Sequence, residues 1–248
     1  ISLAGHLNLN NLIVFFDNNG ISIDGSTDLT CSDDQTQRFK ASKWATIEID
    51  GHDYKQIDNA IKMAIKSNKP TLISCKTVIG YGSPNKSGKS SCHGSPLGKS
   101  ESEITKKKLG WEYAPFQIPN KILSKWRNVS RKGTKSRLNW EKNLDKSKLK
   151  NEFLNQFNKK VFSRNSKSKN FLKNLVKNDL SEATRKSSQN VLELFLSQKN
   201  NLLGGSADLT GSNLTKTKFS YSNGNNFNYI YYGVREHLMA AAMNGISV

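Results

Sequence analysis

The chain has 248 residues, of which 35% are apolar and 23% charged, with a formal net charge of +18. That length holds one large domain or two small ones around a real core, while a mean hydropathy of −0.63 points to a wet, partly irregular region beside the folded part. No apolar run approaches the roughly 20 residues of a membrane span, so a membrane role is not expected.

Cys31, Cys75 and Cys92 are odd in number and include no Cys-x-x-Cys pair. They indicate neither a disulfide framework nor a zinc site, and they fit a reducing, cytoplasmic compartment. The positive charge is uneven: between Lys121 and Leu180, 18 Lys and Arg oppose 4 Asp and Glu, a net of +14. A basic chain can neutralise nucleic-acid phosphates. Here Lys outnumbers Arg 31 to 7, specific readers favour Arg, and no nucleic-acid motif is present, so nucleic acid is not the expected partner. A biased genomic base composition produces the same Lys- and Asn-rich pattern without selection for binding.

In chain order, Ile1 to Leu9 reads as a helix end without an initial Met, so the chain is expected to be a fragment. Leu12, Ile13, Val14, Phe15 and Phe16 form an unbroken apolar run, which predicts a strand buried on both faces inside a parallel sheet. Asp17, Asn18 and Asn19 follow at its carboxyl end, and Gly20 permits a sharp turn. Ligands of open α/β sheets bind at that edge. An Asn side-chain oxygen with a backbone carbonyl two residues on suits a hard cation such as Mg²⁺, although the same residues also suit an ordinary polar turn.

Trp44 to Ile49 alternates as a strand, with a turn at Asp50-Gly51. From Tyr54 to Asn68, Ile57, Ala60, Ile61, Ala64 and Ile65 recur at helical spacing and define one apolar face. Lys69-Pro70 ends that helix, and Thr71 to Val78 is a second β-rich run leading into Ile79-Gly80-Tyr81-Gly82-Ser83-Pro84, where two glycines would allow close approach of a ligand. Strand, helix, strand is the grammar of a parallel sheet.

Asn85 to Gly98 is small, polar and Gly-rich around Cys92-His93-Gly94. It reads either as a linker or as a loop whose His93 reaches a ligand. Trp111, Tyr113, Phe116 and Trp126 suggest a docked segment, and Lys142 to Asp179 suggests surface helices and linker. Val191, Leu192, Leu194 and Phe195 restore a helical apolar face. Leu202-Leu203 then enters Gly204-Gly205-Ser206-Ala207-Asp208-Leu209-Thr210-Gly211-Ser212-Asn213-Leu214-Thr215, a run of glycines and hydroxyls like a phosphate or sugar cradle. It lacks the Gly-Lys-Ser/Thr end of a Walker loop. Tyr229 to Tyr232 reads as a strand, Gly233 as a turn, and Arg235-Glu236-His237 as the start of a helix.

Five of these stretches occur together in the order and approximate spacing seen in transketolases: Asp17 to Gly25, Ile79 to Ser83, His93 to Gly98, Gly204 to Leu209, and Tyr232 to Glu236. The resemblance spans almost the whole chain and is weakest over Asn128 to Asp179. It implies an α/β fold of parallel-sheet, thiamine-diphosphate-binding domains covered by helices, here incomplete. Residues 1–127 would be the C-terminal part of the diphosphate-binding domain, 128–183 a basic linker with surface helices, and 184–248 the opening of the pyrimidine-binding domain.

Carried over residue by residue, the resemblance implies that Asn19 and the Ile21 carbonyl hold Mg²⁺, or Ca²⁺ or another divalent cation. Ile23 and Ile79 would make apolar cofactor contacts, His93 would lie by cofactor and donor substrate, and Asp208 near the thiazolium side. Arg185 and Ser212 would grip a sugar phosphate, and Glu236 would be the catalytic acid. The family's Gly-Asp-Gly metal motif is absent from the chain. The implied activity is ketol transfer between sugar phosphates in the pentose phosphate pathway, by a homodimer with active sites at the subunit interface; a related enzyme such as dihydroxyacetone synthase shares most of these motifs. Glu236 is expected in surroundings apolar enough to raise its pKa, against a helix N-terminal dipole that favours the carboxylate by up to about 1 kcal/mol.

Overall fold

The computed structural model of the chain describes residues 1–157, 165–178, 181–198, 202–222 and 227–247. The chain forms two compact units, Ile1–Trp126 and Arg127–Val248. Those parts of the expected basic linker that fall on 158–164 and 179–180 lie outside the described residues.

The first unit opens with helix α1 (Ser2–His6) and strand β1 (Ile13–Asn18), followed by a hairpin of β2 (Ile21–Ser22) and β3 (Gly25–Ser26). Helix α2 (Gln35–Ala41), β4 (Ala45–Asp50), α3 (Tyr54–Lys66) and β5 (Thr71–Lys76) come next. The main sheet has the order β1-β5-β4, and both neighbours run parallel to β5. Helix α3 is the crossover between the parallel strands β4 and β5, since parallel neighbours cannot be joined by a tight turn. It starts where the Asp53 carboxylate accepts the Lys55 and Gln56 amide hydrogens, which satisfies donors a helix start leaves free. Its apolar face then packs Ala60 and Ala64 against Ile49, Ile73 and Cys75, with Ile57 and Ile61 at the margin.

Two expectations are corrected here. Ile65 is 69% exposed, because it sits about 100° round the helix from Ala64 and so outside the buried stripe. The apolar run of β1 is not buried on both faces either: Phe15 is 50% exposed. The strand buried through its length is the central one, β5, from Thr71 to Cys75, whereas β1 is an edge of the sheet among the described residues.

Helix α4 (Lys99–Lys108) follows the long loop after β5, and α5 (Asn120–Lys146) spans the residue boundary between the units. Phe116 and Trp126, expected to dock, are exposed; Trp111 and Tyr113 make a local edge-to-face pair.

The second unit continues through α6 (Lys150–Gln156), α7 (Ser166–Asn178), α8 (Thr184–Leu196), β6 (Gly204–Ser206), α9 (Thr210–Asn213), β7 (Tyr229–Tyr231) and α10 (Glu236–Ser247). Trp140 and Phe153 join α5 to α6 edge to face. Strands β6 and β7 are parallel, with Gly204 opposite Tyr229 and Ser206 opposite Tyr231. Gly204-Gly205, read in the sequence as part of a ligand cradle, is therefore a strand. The absent side chain explains it: a Cβ on Gly205 would lie 2.6 Å from both the Ile230 carbonyl oxygen and the Tyr232 ring. No helix among the described residues is long and apolar enough to cross a membrane.

Candidate active site

In the first unit the parallel register brings three strand ends to one level, since Asn18 and Asp50 both stand opposite Lys76. The sequence-predicted metal residues sit just beyond. The Asn19 Oδ1 atom accepts the Ile21 amide hydrogen at 2.9 Å, and Gly20, at φ +71°, makes the turn between them. The Gly20 carbonyl in turn accepts the Thr27 amide hydrogen at 3.0 Å. Asn19 and Ile21 thus share one braced turn. Ile23 lies at the hairpin tip and is 72% exposed. The turn borders a polar hollow of about 660 Å³ that also meets Asn18, Asp28, Asp33, Glu48 and Lys76. Asp17 points elsewhere: its carboxylate accepts the Thr77 hydroxyl.

The loop from Ile79 to Gly98 is built rather than loose. Gly80 and Gly82 both take positive φ, but they admit the chain's own side chains: a Cβ would come within 2.9 Å of the Cys92 Sγ at Gly80 and 2.7 Å of Leu109 at Gly82. The partly buried Ile79 is held through its carbonyl, which accepts the Gly88 amide hydrogen at 2.8 Å. His93 donates its backbone N–H to the Ser90 carbonyl and is exposed.

Two residues that carry this region gave no local signal in the sequence. His52, after β4, accepts the Val78 amide hydrogen on Nε2 at 3.0 Å and stacks on Tyr81 with centroids 3.9 Å apart. Glu101, in the first turn of α4, is 8% exposed. Its carboxylate accepts from the Ser83 hydroxyl at 2.5 Å and from the Asn85 amide and side chain at 2.9 Å each. Those hydrogen bonds, Ser83 first and Asn85 next, hold its pKa at about 2.

In the second unit Asp208 and Glu236 again follow parallel strand ends. Asp208, two residues past β6, is exposed and adopts φ +63°, a left-handed conformation that Asp tolerates at a cost of roughly 1 kcal/mol. Glu236 opens α10 after β7 and is exposed, so the described residues of this chain do not supply the apolar enclosure expected around it. Ser212, in α9, and Arg185, in the first turn of α8, are both exposed. The cradle reading changes in part, because Thr210 and Thr215 share hydrogen bonds with the buried Tyr229 hydroxyl at 2.9 and 2.7 Å. Burial pushes the pKa of the neighbouring Tyr232 phenol up.

Among the described residues no group of three or more His, Cys, Asp or Glu is arranged to hold a metal. The Asn19 amide oxygen and the Ile21 carbonyl are nevertheless the neutral oxygen donors a hard cation accepts. They fit such an ion provided that diphosphate oxygens, water and further protein groups complete about six ligands.

Two parallel β/α assemblies, each carrying its polar groups beyond the carboxyl ends of adjacent strands, define a cofactor-binding α/β protein. Residues 1–166 match the family model "Transketolase, thiamine diphosphate binding domain" and residues 181–248 match "Transketolase, pyrimidine binding domain". The chain belongs to the transketolase family. It is 47% identical to the transketolase of Buchnera aphidicola subsp. Schizaphis graminum and 44% identical to transketolase 2 of Escherichia coli, in each case over 99% of this chain and 38% of the relative. Among solved structures, a Pichia stipitis transketolase in complex with sedoheptulose-7-phosphate superposes with a TM-score of 0.85 at 34% identity. The Campylobacter jejuni enzyme does so with 0.84 at 31%. Both superpositions cover 99% of this chain and 38% of the other. The chain thus spans well under half the length of the relatives it matches.

Proposed function

We propose that this chain forms part of a transketolase, transferring a two-carbon ketol unit from a ketose phosphate to an aldose phosphate in the cytoplasmic pentose phosphate pathway. The observation that carries the reading is the succession of two transketolase domain families along the chain, with Asn19 and Ile21 in the first and Asp208 and Glu236 in the second just past parallel strand ends. The sedoheptulose-7-phosphate held by the Pichia stipitis relative supports sugar phosphates as the substrate class.

Thiamine diphosphate, when bound, supplies the electron sink that carbon–carbon cleavage needs. Residues of the chain would help to bind and orient it. Asn19 and the Ile21 carbonyl hold a divalent cation, Mg²⁺ or Ca²⁺, that offsets diphosphate charge, and Ile23 and Ile79 offer apolar contact. Asp208 and His93 orient polar groups of cofactor and donor, while Arg185 and Ser212 grip the sugar phosphate. Arg is suited to that role by its paired donors. Glu236 holds and exchanges a proton at its carboxyl oxygen. The described residues of this chain leave it exposed, and we assign its enclosure to a second copy in a homodimer, as the transketolase resemblance implies.

The test is ketol transfer by the complete protein, with and without thiamine diphosphate, using ribose 5-phosphate or formaldehyde as acceptor. Cofactor-dependent transfer to the aldose phosphate supports the reading. Preference for formaldehyde would make the protein a dihydroxyacetone synthase, and the absence of both would overturn it.

A further inference from the structure

Glu101 is a buried carboxylate 18 residues from Ser83, and none of the roles above uses it. Its partners connect both ends of the Ile79 to Gly98 loop. One oxygen takes the Ser83 hydroxyl and the Asn85 amide, and the other takes the Asn85 side chain. The Ser83 Oγ in turn accepts the Lys86 amide hydrogen at 3.1 Å. The Lys86 Nζ then reaches across the loop to donate to the Leu97 carbonyl at 3.0 Å and the Pro96 carbonyl at 3.4 Å. Between these anchors the Cys92 thiol donates to the Lys86 and Lys89 carbonyls, immediately before His93. All of these ties but the one from Cys92 to Lys89 involve α4 or Lys86.

We infer that Glu101 is a positioning residue: through Ser83, Asn85 and Lys86 it clamps the loop that presents His93 to the donor substrate. The geometry supports a charged clamp rather than a neutral one. A carboxylate in the first turn of a helix is favoured by the dipole, and three donors converge on it, which depresses its pKa and makes it a strong acceptor at neutral pH. A buried acceptor removed from such a set strands donors that have no ready replacement. The structural clamp stands on the hydrogen bonds alone; its effect on catalysis rests on the proposed function.

The experiment uses the complete protein and follows both amide exchange and turnover. In Glu101→Ala the amides of Asn85, Lys86 and His93 should exchange about tenfold faster or more while those of β5 stay protected. Turnover should fall roughly tenfold to a hundredfold through misplacement of His93. Glu101→Gln keeps one acceptor oxygen for Ser83 and the Asn85 amide but loses the charge and the acceptor facing the Asn85 side chain, so it should recover only part of both. Combined with His93→Ala, Glu101→Ala should add little further loss, because the two act as one unit. Unchanged exchange at Asn85, Lys86 and His93 would overturn the clamp, and multiplicative losses in the double variant would overturn its action through His93. Should Glu101→Ala fail to fold, Lys86→Met must loosen residues 93–98 alone. A wild-type protein without ketol transfer would remove the proposed function, while exchange at His93 still decides the clamp.

Discussion

His52 and Val78 are joined across the carboxyl edge of the main sheet: the imidazole Nε2 accepts the Val78 amide hydrogen at 3.0 Å, 26 residues away in sequence. Val78 lies just past the last β5 residue, Lys76, where the ladder has ended, so its donor needs a partner from elsewhere. The stacked Tyr81 ring covers the same imidazole. This pair fixes the start of the segment that carries Ile79. Replacing His52 by Ala should speed Val78 amide exchange by about fivefold, as loss of one net hydrogen bond of about 1 kcal/mol requires. His52→Gln, which restores an acceptor, should recover part of it. Equal exchange in all three proteins would show that the bond contributes nothing.

Gly5 offers a sharper steric test. A Cβ there would sit 1.7 Å from the Ser42 carbonyl oxygen, so α1 would have to withdraw from the turn before β4. That withdrawal would also break the hydrogen bond from the Trp44 indole to the Ile1 carbonyl, now 3.0 Å. Gly5→Ala should therefore cost about 3 kcal/mol, the upper end for overpacking, seen as a lower denaturation midpoint. An unaltered midpoint would mean that α1 is not seated as described.

The Glu101 carboxylate also gives the protein an acid limb. Its folded pKa of about 2 lies below the ordinary 4.5, so the stability it contributes is complete above the ordinary value. That stability is lost as pH falls toward the folded pKa. Acid titration of the wild type should show this loss between 4.5 and about 2, and Glu101→Gln should be flatter over that window. Parallel curves would remove Glu101 from the acid transition.

Arg185 is exposed at the start of α8, where truncation should disturb packing little. If it grips the substrate phosphate, Arg185→Ala in the complete protein should raise KM for phosphorylated sugars about tenfold or more, the worth of a charge-assisted hydrogen bond. Non-phosphorylated acceptors should change much less. Equal losses for both substrate classes would make the residue general to catalysis or structural.

The parallel core was legible because its signals are local and periodic: the α3 face at Ile57, Ala60, Ile61 and Ala64, and the break at Lys69-Pro70. What failed depended on neighbours distant in sequence. An apolar run does not say which face is covered, so the run alone predicts Phe15 inside, where the structure leaves it half exposed. Two glycines do not announce a strand, so Gly204-Gly205 looked like a cradle until Ile230 and Tyr232 showed why no side chain fits. The order in the Ser83 to Gly98 loop comes from Glu101, whose carboxylate looks like any other helix-surface acid when read along the chain. Among candidate site residues, the Asn19-Gly20-Ile21 turn had a readable geometry. The surroundings of Glu236 did not, since the described residues of one chain do not provide them.

We propose that the Asn19 turn of one copy and Glu236 of another complete one catalytic site. This is tested most directly by mixing two full-length variants, Asn19→Ala and Glu236→Gln, each expected to be inactive alone, under conditions that exchange subunits. A mixed dimer then has one site with both defects and one with neither, so about a quarter of wild-type activity should return when exchange is random. No return of activity despite demonstrated exchange would mean that each chain builds its own site.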